Sequence, residues 1–130
     1  MKAIIVEDEL RSAKLLENLL RDYCPDVQLI GSASSVDAGF QLVKSNAIDI
    51  VFLDIEMQKE SGFDLLNKFE NINFEIIFTT AFEHYALKAI KFSAIDYLLK
   101  PIDIEELKAA ISKVSKNNQR HLMNKKFEIL

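Results

Sequence analysis

The sequence predicts an α/β protein: a (βα)5 doubly wound, five-stranded parallel sheet enclosed by helices as a three-layer sandwich. Three observations carry the prediction. Short runs such as Ala3-Ile4-Ile5-Val6 and Ile50-Val51-Phe52-Leu53 are apolar without alternation, the composition of strands buried on both faces. Between such runs, apolar residues recur at helical spacing. The two kinds of segment alternate along the chain, and strand-helix alternation implies right-handed parallel crossovers.

The first strand covers residues 3–6, and a helix follows from Asp8 toward Pro25 with Ala13, Leu16, Leu20 and Tyr23 on one face. Residues 27–33 are the second strand, 36–45 the second helix, with Val36, Phe40 and Val43 in one row, and 48–53 the third strand. Phe63, Leu66 and Phe69 mark a short third helix. Residues 75–79 are the fourth strand, 85–92 a helix carrying Ala86, Ala89 and Ile90, and 95–99 the fifth strand, ahead of Pro101. The last helix begins near Ile104 and buries Leu107, Ile111 and Val114. Asp103 is its expected N-cap, with Glu105 and Glu106 in the first turn, where the helix dipole favours negative charge. The pattern fades after Lys116, so residues 1–118 read as one domain and 119–130 as a helix extension or the stub of a linker.

Length and composition narrow the class. A chain of 130 residues has room for one domain with its own core. With 49% hydrophobic and 28% charged residues, three Gly and two Pro, it is neither disordered nor collagen-like. Sixteen Lys and Arg against twenty Asp and Glu give a net charge of −4, so the overall field does not favour nucleic acid or an anionic membrane surface. No apolar run approaches the ~18 residues that span a bilayer, and no membrane partner is expected. One cysteine, Cys24, allows no internal disulfide and no signal-peptide pattern opens the chain, so the expected compartment is the cytoplasm. Cys24 itself reads as a small, partly buried apolar residue. His84 and His121 lack ligand partners at suitable spacing, and Arg120, His121, Lys125 and Lys126 read as a solvated basic cluster. Phe52, Phe63, Phe69, Phe78 and Phe92 follow the buried faces and belong to the core, not to a base-stacking platform.

In open parallel sheets the functional crevice lies beyond the carboxyl ends of the strands, where strand order reverses. The first strand ends in Glu7-Asp8, the third in Asp54, the fourth in Thr79-Thr80 and the fifth in Lys100-Pro101. With strand order 2-1-3-4-5 the first and third strands are neighbours, and three carboxylates meet at one edge. Taken singly, each residue has a plain explanation. A strand-terminal Asp ordinarily caps a helix or a turn, Glu7 is a surface group, the threonines are β-branched strand residues and Lys100 is a solvated loop charge. Taken together they suggest chemistry. A hard divalent cation, most simply Mg2+, relieves the repulsion of three carboxylates. A lysine and a hydroxyl arriving from other strands then suit phosphoryl transfer to an Asp nucleophile.

These residues lie in segments that resemble the receiver domain of two-component response regulators: IIVEDE at 4–9, DIVFLDIEM at 49–57, SGFDLL at 61–66, IIFTTAFEHYALKAI at 76–90 and AIDYLLKPI at 94–102. The resemblance spans about residues 2–116, and the last two segments are similar in particular to receivers joined to LytTR-type DNA-binding domains. It implies a CheY-like, flavodoxin-like fold with Asp54 as phosphoacceptor, Glu7 and Asp8 as the acidic pair serving Mg2+, and the main-chain carbonyl of Glu56 as a further metal ligand. It also implies that Thr80 is the switch hydroxyl, Tyr97 the switch aromatic, Lys100 the lysine that pairs with phosphate, and Lys100-Pro101 a cis peptide. Two departures stand out. Gln58 occupies a position where the family often has Pro, so the loop Gln58-Lys59-Glu60-Ser61 is expected to be more mobile. Glu7 stands where many members have Asp; its extra methylene suits contact with the metal through a water and leaves Asp8 as the direct ligand.

The implied phosphoryl donor is a sensor histidine kinase. Phosphorylation of Asp54 draws Thr80 inward, Tyr97 fills the vacated space, and the face of the fourth helix, fifth strand and fifth helix is re-aimed, giving a phosphorylation-favoured homodimer. DNA is reached only through an output domain that is not in this chain, and the only chemistry expected is the protein's own phosphorylation and dephosphorylation. Two rival readings remain open. A Mg2+-dependent aspartyl phosphatase ordinarily has a second Asp two residues after the nucleophile, where this chain has Glu56. A receiver-like module that binds a partner without phosphorylation would not need the acidic pair, Asp54, Thr80 and Lys100. A nucleotide-binding loop is excluded by the lack of either glycine-rich motif.

Overall fold

The computed structural model describes residues 1–129. The elements in chain order are β1 (Lys2–Val6), α1 (Leu10–Tyr23), β2 (Gln28–Ala33), α2 (Val36–Ser45), β3 (Ile50–Leu53), α3 (Gly62–Leu66), β4 (Glu75–Thr80), α4 (Ala86–Lys91), β5 (Asp96–Leu99) and α5 (Ile104–Ile129). The strands form one parallel sheet in the order β2-β1-β3-β4-β5. This is the predicted order, and the reversal falls between β1 and β3.

Each uninterrupted apolar run supplies two cores, because successive strand residues point to opposite faces. Ile4, Val6, Val51, Leu53, Ile76 and Phe78 pack on one side with Val36, Phe63, Leu65, Leu66 and Ala89 of α2, α3 and α4. Ala3, Ile5, Ile50, Phe52, Ile77 and Leu98 pack on the other with Ala13, Leu16 and Leu20 of α1 and Leu107, Ala110, Ile111 and Val114 of α5. Phe52 is buried in the core on the α1 and α5 side and Phe63 and Phe78 in the other, against which Phe69 and Phe92 pack from half-buried positions.

Helix starts follow their caps. Ser35 accepts the Ala38 N–H at 3.1 Å at the head of α2, and Ser61 and Asp64 form a capping box at the head of α3. Asp103 accepts the Glu106 N–H at 3.0 Å at the head of α5, as its sequence position predicts.

Two expectations are corrected. Tyr23 is 45% exposed, because Ala13, Leu16 and Leu20 already fill the sheet-facing stripe and Tyr23 is the last residue of α1. Ile90 is 69% exposed, because α4 buries only Ala89, and the next residue is turned about 100° around the helix. The last helix runs past Lys116 to Ile129, the helix extension that is one of the two readings of residues 119–130. The basic cluster Arg120, His121, Lys125 and Lys126 lies outside the side chains described. Cys24 is buried and unpaired, and burial pushes its thiol up. No described helix is long and apolar enough to cross a membrane.

Candidate functional site

Main-chain hydrogen bonds that continue the ladder past the strand ends bring the polar residues together. The Asp54 N–H donates to the Val6 carbonyl at 3.0 Å, and the Lys100 N–H donates to the Thr80 carbonyl at 2.8 Å. Asp54 is thereby set beside the Glu7-Asp8 end of β1, and Lys100 beside Thr80. One carboxylate oxygen from each of Glu7, Asp8 and Asp54 lies within 4.8 Å of the others. Glu7, Asp54 and Thr80 are buried and Asp8 is half-buried. The Lys100 ammonium pairs with Glu7 Oε1 and lies 3.5 Å from Asp54 Oδ2.

One ammonium facing three carboxylates leaves this pocket short of positive charge. Burial raises the Asp54 carboxyl, the hydrogen bond and charge of Glu7 raise it further, and Lys100 opposes them only in part. The result is an Asp54 pushed up to about 7. For Lys100, burial is the largest influence and acts to lower it, but the bond to Glu7 and the charges of Asp54 and Glu7 together outweigh burial. Its ammonium therefore titrates above the usual lysine range.

The remaining predicted residues ring this centre. The Thr80 hydroxyl, expected as a donor, accepts a long bond from the Phe82 N–H at 3.4 Å. The Tyr97 hydroxyl donates to the Phe82 carbonyl, and its half-buried ring lies 6.2 Å from that of Phe78. Lys100-Pro101 is cis. The Glu56 side chain is exposed and accepts the Tyr85 hydroxyl at 2.7 Å. Thr79 is buried within β4, paired to Leu98 in the ladder, and has the plain strand role. His84 is exposed, with its ring 4.1 Å from that of Tyr85.

Sequence reasoning missed several supporting residues. A Cβ on Gly62 would lie 2.1 Å from the Asp54 carbonyl oxygen, so only glycine lets α3 start this close behind the nucleophile candidate. The loop expected to be mobile is tied at several points. The Gln58 N–H donates to Asp8 Oδ2 at 2.6 Å, Glu60 Oε2 accepts the Val36 N–H at 2.7 Å, and the Met57 N–H donates to the Glu60 carbonyl at 3.2 Å. A glycine in a chain with three was a visible signal for Gly62; the partners of Gln58 and Glu60 had none, since both lie far away in sequence.

With this geometry in view, the comparison with known proteins is decisive. The family described as response regulator receiver domain matches residues 3–112. The chain belongs to this family. The receiver is 34% identical over 124 residues to the sensory transduction protein LytT of Bacillus anthracis, covering 94% of this chain and 50% of that protein. It thus spans about half the length of the curated relatives it matches. Among solved structures, the response regulatory domain of protein mrkE from Klebsiella pneumoniae matches this receiver with a TM-score of 0.81 at 27% identity, over 92% of this chain and 99% of that one. The response regulator protein TrrA from Thermotoga maritima, solved in complex with Mg(2+)-BeF, matches with a TM-score of 0.75 at 26% identity, over 87% and 97%. The fold is therefore CheY-like.

Proposed function

We propose that this receiver accepts a phosphoryl group from a sensor histidine kinase on Asp54, assisted by Mg2+, and that the modification re-aims the face of α4, β5 and α5. The observation that carries the reading is the meeting of three carboxylates and one lysine at the sheet edge where strand order reverses. The donor set fits the ion. Three hard oxygen donors stand together in a pocket short of positive charge, and Mg2+ is held through one or two carboxylates with waters retained. Glu7, Asp8, Asp54 and the Glu56 carbonyl would hold it, and when bound it neutralises charge on the transferring group. The Mg(2+)-BeF complex of TrrA supports this choice of cation.

The chain's own residues supply the rest. A carboxylate oxygen of Asp54 attacks phosphorus, the bond from phosphorus to the donor imidazole nitrogen breaks, and the electron pair leaves with that nitrogen, which takes up a proton. Lys100, already 3.5 Å from Asp54 Oδ2, is placed to pair with the new phosphoryl oxygens. Among the described residues the Thr80 hydroxyl has one hydrogen-bond partner, the Phe82 N–H at long range, and turning that hydroxyl toward the phosphoryl group disturbs the segment that Tyr97 grips at the Phe82 carbonyl. That shared residue, Phe82, links the pocket to β5 and α4. Leu87 and Ile90 stand 80% and 69% exposed on α4, an apolar pair suited to a second copy in a phosphorylation-favoured homodimer.

Residues 1–118 form the receiver in this reading, with 119–130 as its extension. The cytoplasm is the compartment, and DNA is reached through an output domain outside this chain; LytT, half of which the match covers, has room for a further domain. The chemistry is the receiver's own phosphorylation and dephosphorylation. A phosphatase reading would ask Glu56 to serve as acid and base, whereas its carboxylate is engaged by Tyr85.

The test is the intact mass after incubation with acetyl phosphate, with and without Mg2+. A gain of one phosphoryl group, dependent on Mg2+ and absent in Asp54→Asn, is expected. Equal uptake in that variant, or no uptake by the wild type, overturns the reading.

A further inference from the structure

The β3-α3 loop carries a contact that proline at position 58 would forbid. Gln58 has a main-chain N–H, and it donates to Asp8 Oδ2 at 2.6 Å across 50 residues of sequence, a short bond of the kind that an ionised acceptor favours. Asp8 is the least buried of the three clustered carboxylates, and among the described residues this N–H is its one hydrogen-bond partner. The donor itself is well held. The Met57 N–H closes the loop on the Glu60 carbonyl, the Gly62 N–H donates to the Ile55 carbonyl at 2.8 Å, Glu60 reaches the Val36 N–H, and Glu56 is fastened by the Tyr85 hydroxyl. A loop tied to α2 on one side and to the head of α4 on the other offers a fixed donor.

We propose that Gln58 is a positioning residue for the divalent cation: its N–H holds the Asp8 carboxylate in place so that the ion meets an oriented ligand. One Asp8 oxygen is engaged by the N–H, and an Asp8 oxygen stands within 4.8 Å of those of Glu7 and Asp54. A carboxylate has lone pairs for both partners, so the bond persists when the ion binds. Ordering Asp8 then belongs to folding and not to ion binding, and outer-shell donors that orient a ligand in this way raise metal affinity. This inference rests on the cation site proposed above.

The test is calorimetric titration of the whole chain with Mg2+ and with Mn2+. Gln58→Pro removes the N–H and should weaken binding roughly 10-fold, while Gln58→Ala keeps it and should stay within about twofold of the wild type. Unchanged or tighter binding by Gln58→Pro overturns the proposal, as does equal weakening by Gln58→Ala. A second measurement avoids reliance on a foldable proline variant. The Gln58 amide of the wild type should exchange slowly with solvent both without Mg2+ and at saturation, and exchange at the rate of a free loop amide in either state refutes the proposal. Failure of the wild type to bind either ion overturns this inference and the cation site together, whereas binding without phosphoryl uptake counts only against the proposed function.

Discussion

Asp54 combines two demands that oppose each other: it is 5% exposed and it stands beside Glu7. The folded chain holds its proton up to about 7, whereas an unfolded aspartate releases it near pH 4. A raised carboxyl means that the folded state binds the proton more tightly. The cation-free protein therefore has this contribution in full at low pH and loses it as pH climbs from about 4 to about 7. Asp54→Asn removes the charge and the loss with it. With a chelator at about pH 8, the variant should melt at a higher temperature than the wild type, and the gap should shrink toward about pH 4. Added Mg2+ should narrow the gap at high pH by stabilising the wild type. Scanning calorimetry checks this, and a gap independent of pH would mean that burial of Asp54 charge is not its origin. Gly62 belongs to the same scale. Its lack of a Cβ allows α3 to abut the Asp54 carbonyl, so the geometry of one polar residue is set by what another residue lacks.

Among the elements, α4 is the least committed to the core. It is six residues long, its N-cap Tyr85 makes no side-chain capping bond, and only Ala89 is buried. One ring of α3 supplies much of its aromatic support. Phe63 lies 6.2 Å from the Tyr85 ring, 5.4 Å from Phe92 and 5.3 Å from Phe78, with the Lys88 ammonium 4.6 Å over its face. The helix ends in a left-handed turn. The Ser93 N–H donates to the Ile90 carbonyl at 2.9 Å, the Ala94 N–H to the Ala89 carbonyl at 3.4 Å, and Ser93 has φ of 58°. A serine there bears a steric cost that glycine avoids, although glycine loses more freedom on folding. Ser93→Gly should therefore raise stability by about 0.5 kcal/mol, read as a higher denaturant midpoint at unchanged slope. A lower midpoint would show that the serine side chain contributes more than the turn costs. An element with so little burial is the kind recruited for movement, which fits its place beside Phe82 in the proposed switch.

For the molecule as a whole, the pocket and the proposed association face are joined through Lys100, which continues β5 and touches both Glu7 and Asp54. Removing it should separate chemistry from response. Lys100→Ala is expected to retain some Mg2+-dependent phosphoryl uptake from acetyl phosphate but to lose phosphorylation-driven association, as measured by light scattering against the phosphorylated wild type. Association of the variant at wild-type level would remove Lys100 from the coupling. The opposite layers of the sandwich do different work in this account: α1 and α5 bury one face of the sheet, while α2, α3 and α4 bury the other and carry the loop contacts that hold the site.

The strands, the helices, their order along the chain and the polar residues at four strand ends were legible in the sequence because each depends on near neighbours. Apolar runs mark strands buried on both faces, stripes mark helices, and an Asp before a helix marks its cap. Strand order came with the resemblance, and with it the meeting of Glu7, Asp8 and Asp54. Exposure at element ends was not legible, as Tyr23 and Ile90 show, because periodicity gives a direction around a helix but not where the neighbouring layer stops. Nor was the loop after β3. A missing proline suggested freedom, yet the N–H that proline would lack found Asp8, and Glu60 found the head of α2. Those partners lie 50 and 24 residues away. Local pattern determined which residues stand at the strand ends; only packing of the whole sheet decided which main-chain and side-chain groups would meet there, because a hydrogen bond between distant segments exists only once every element between them has been placed.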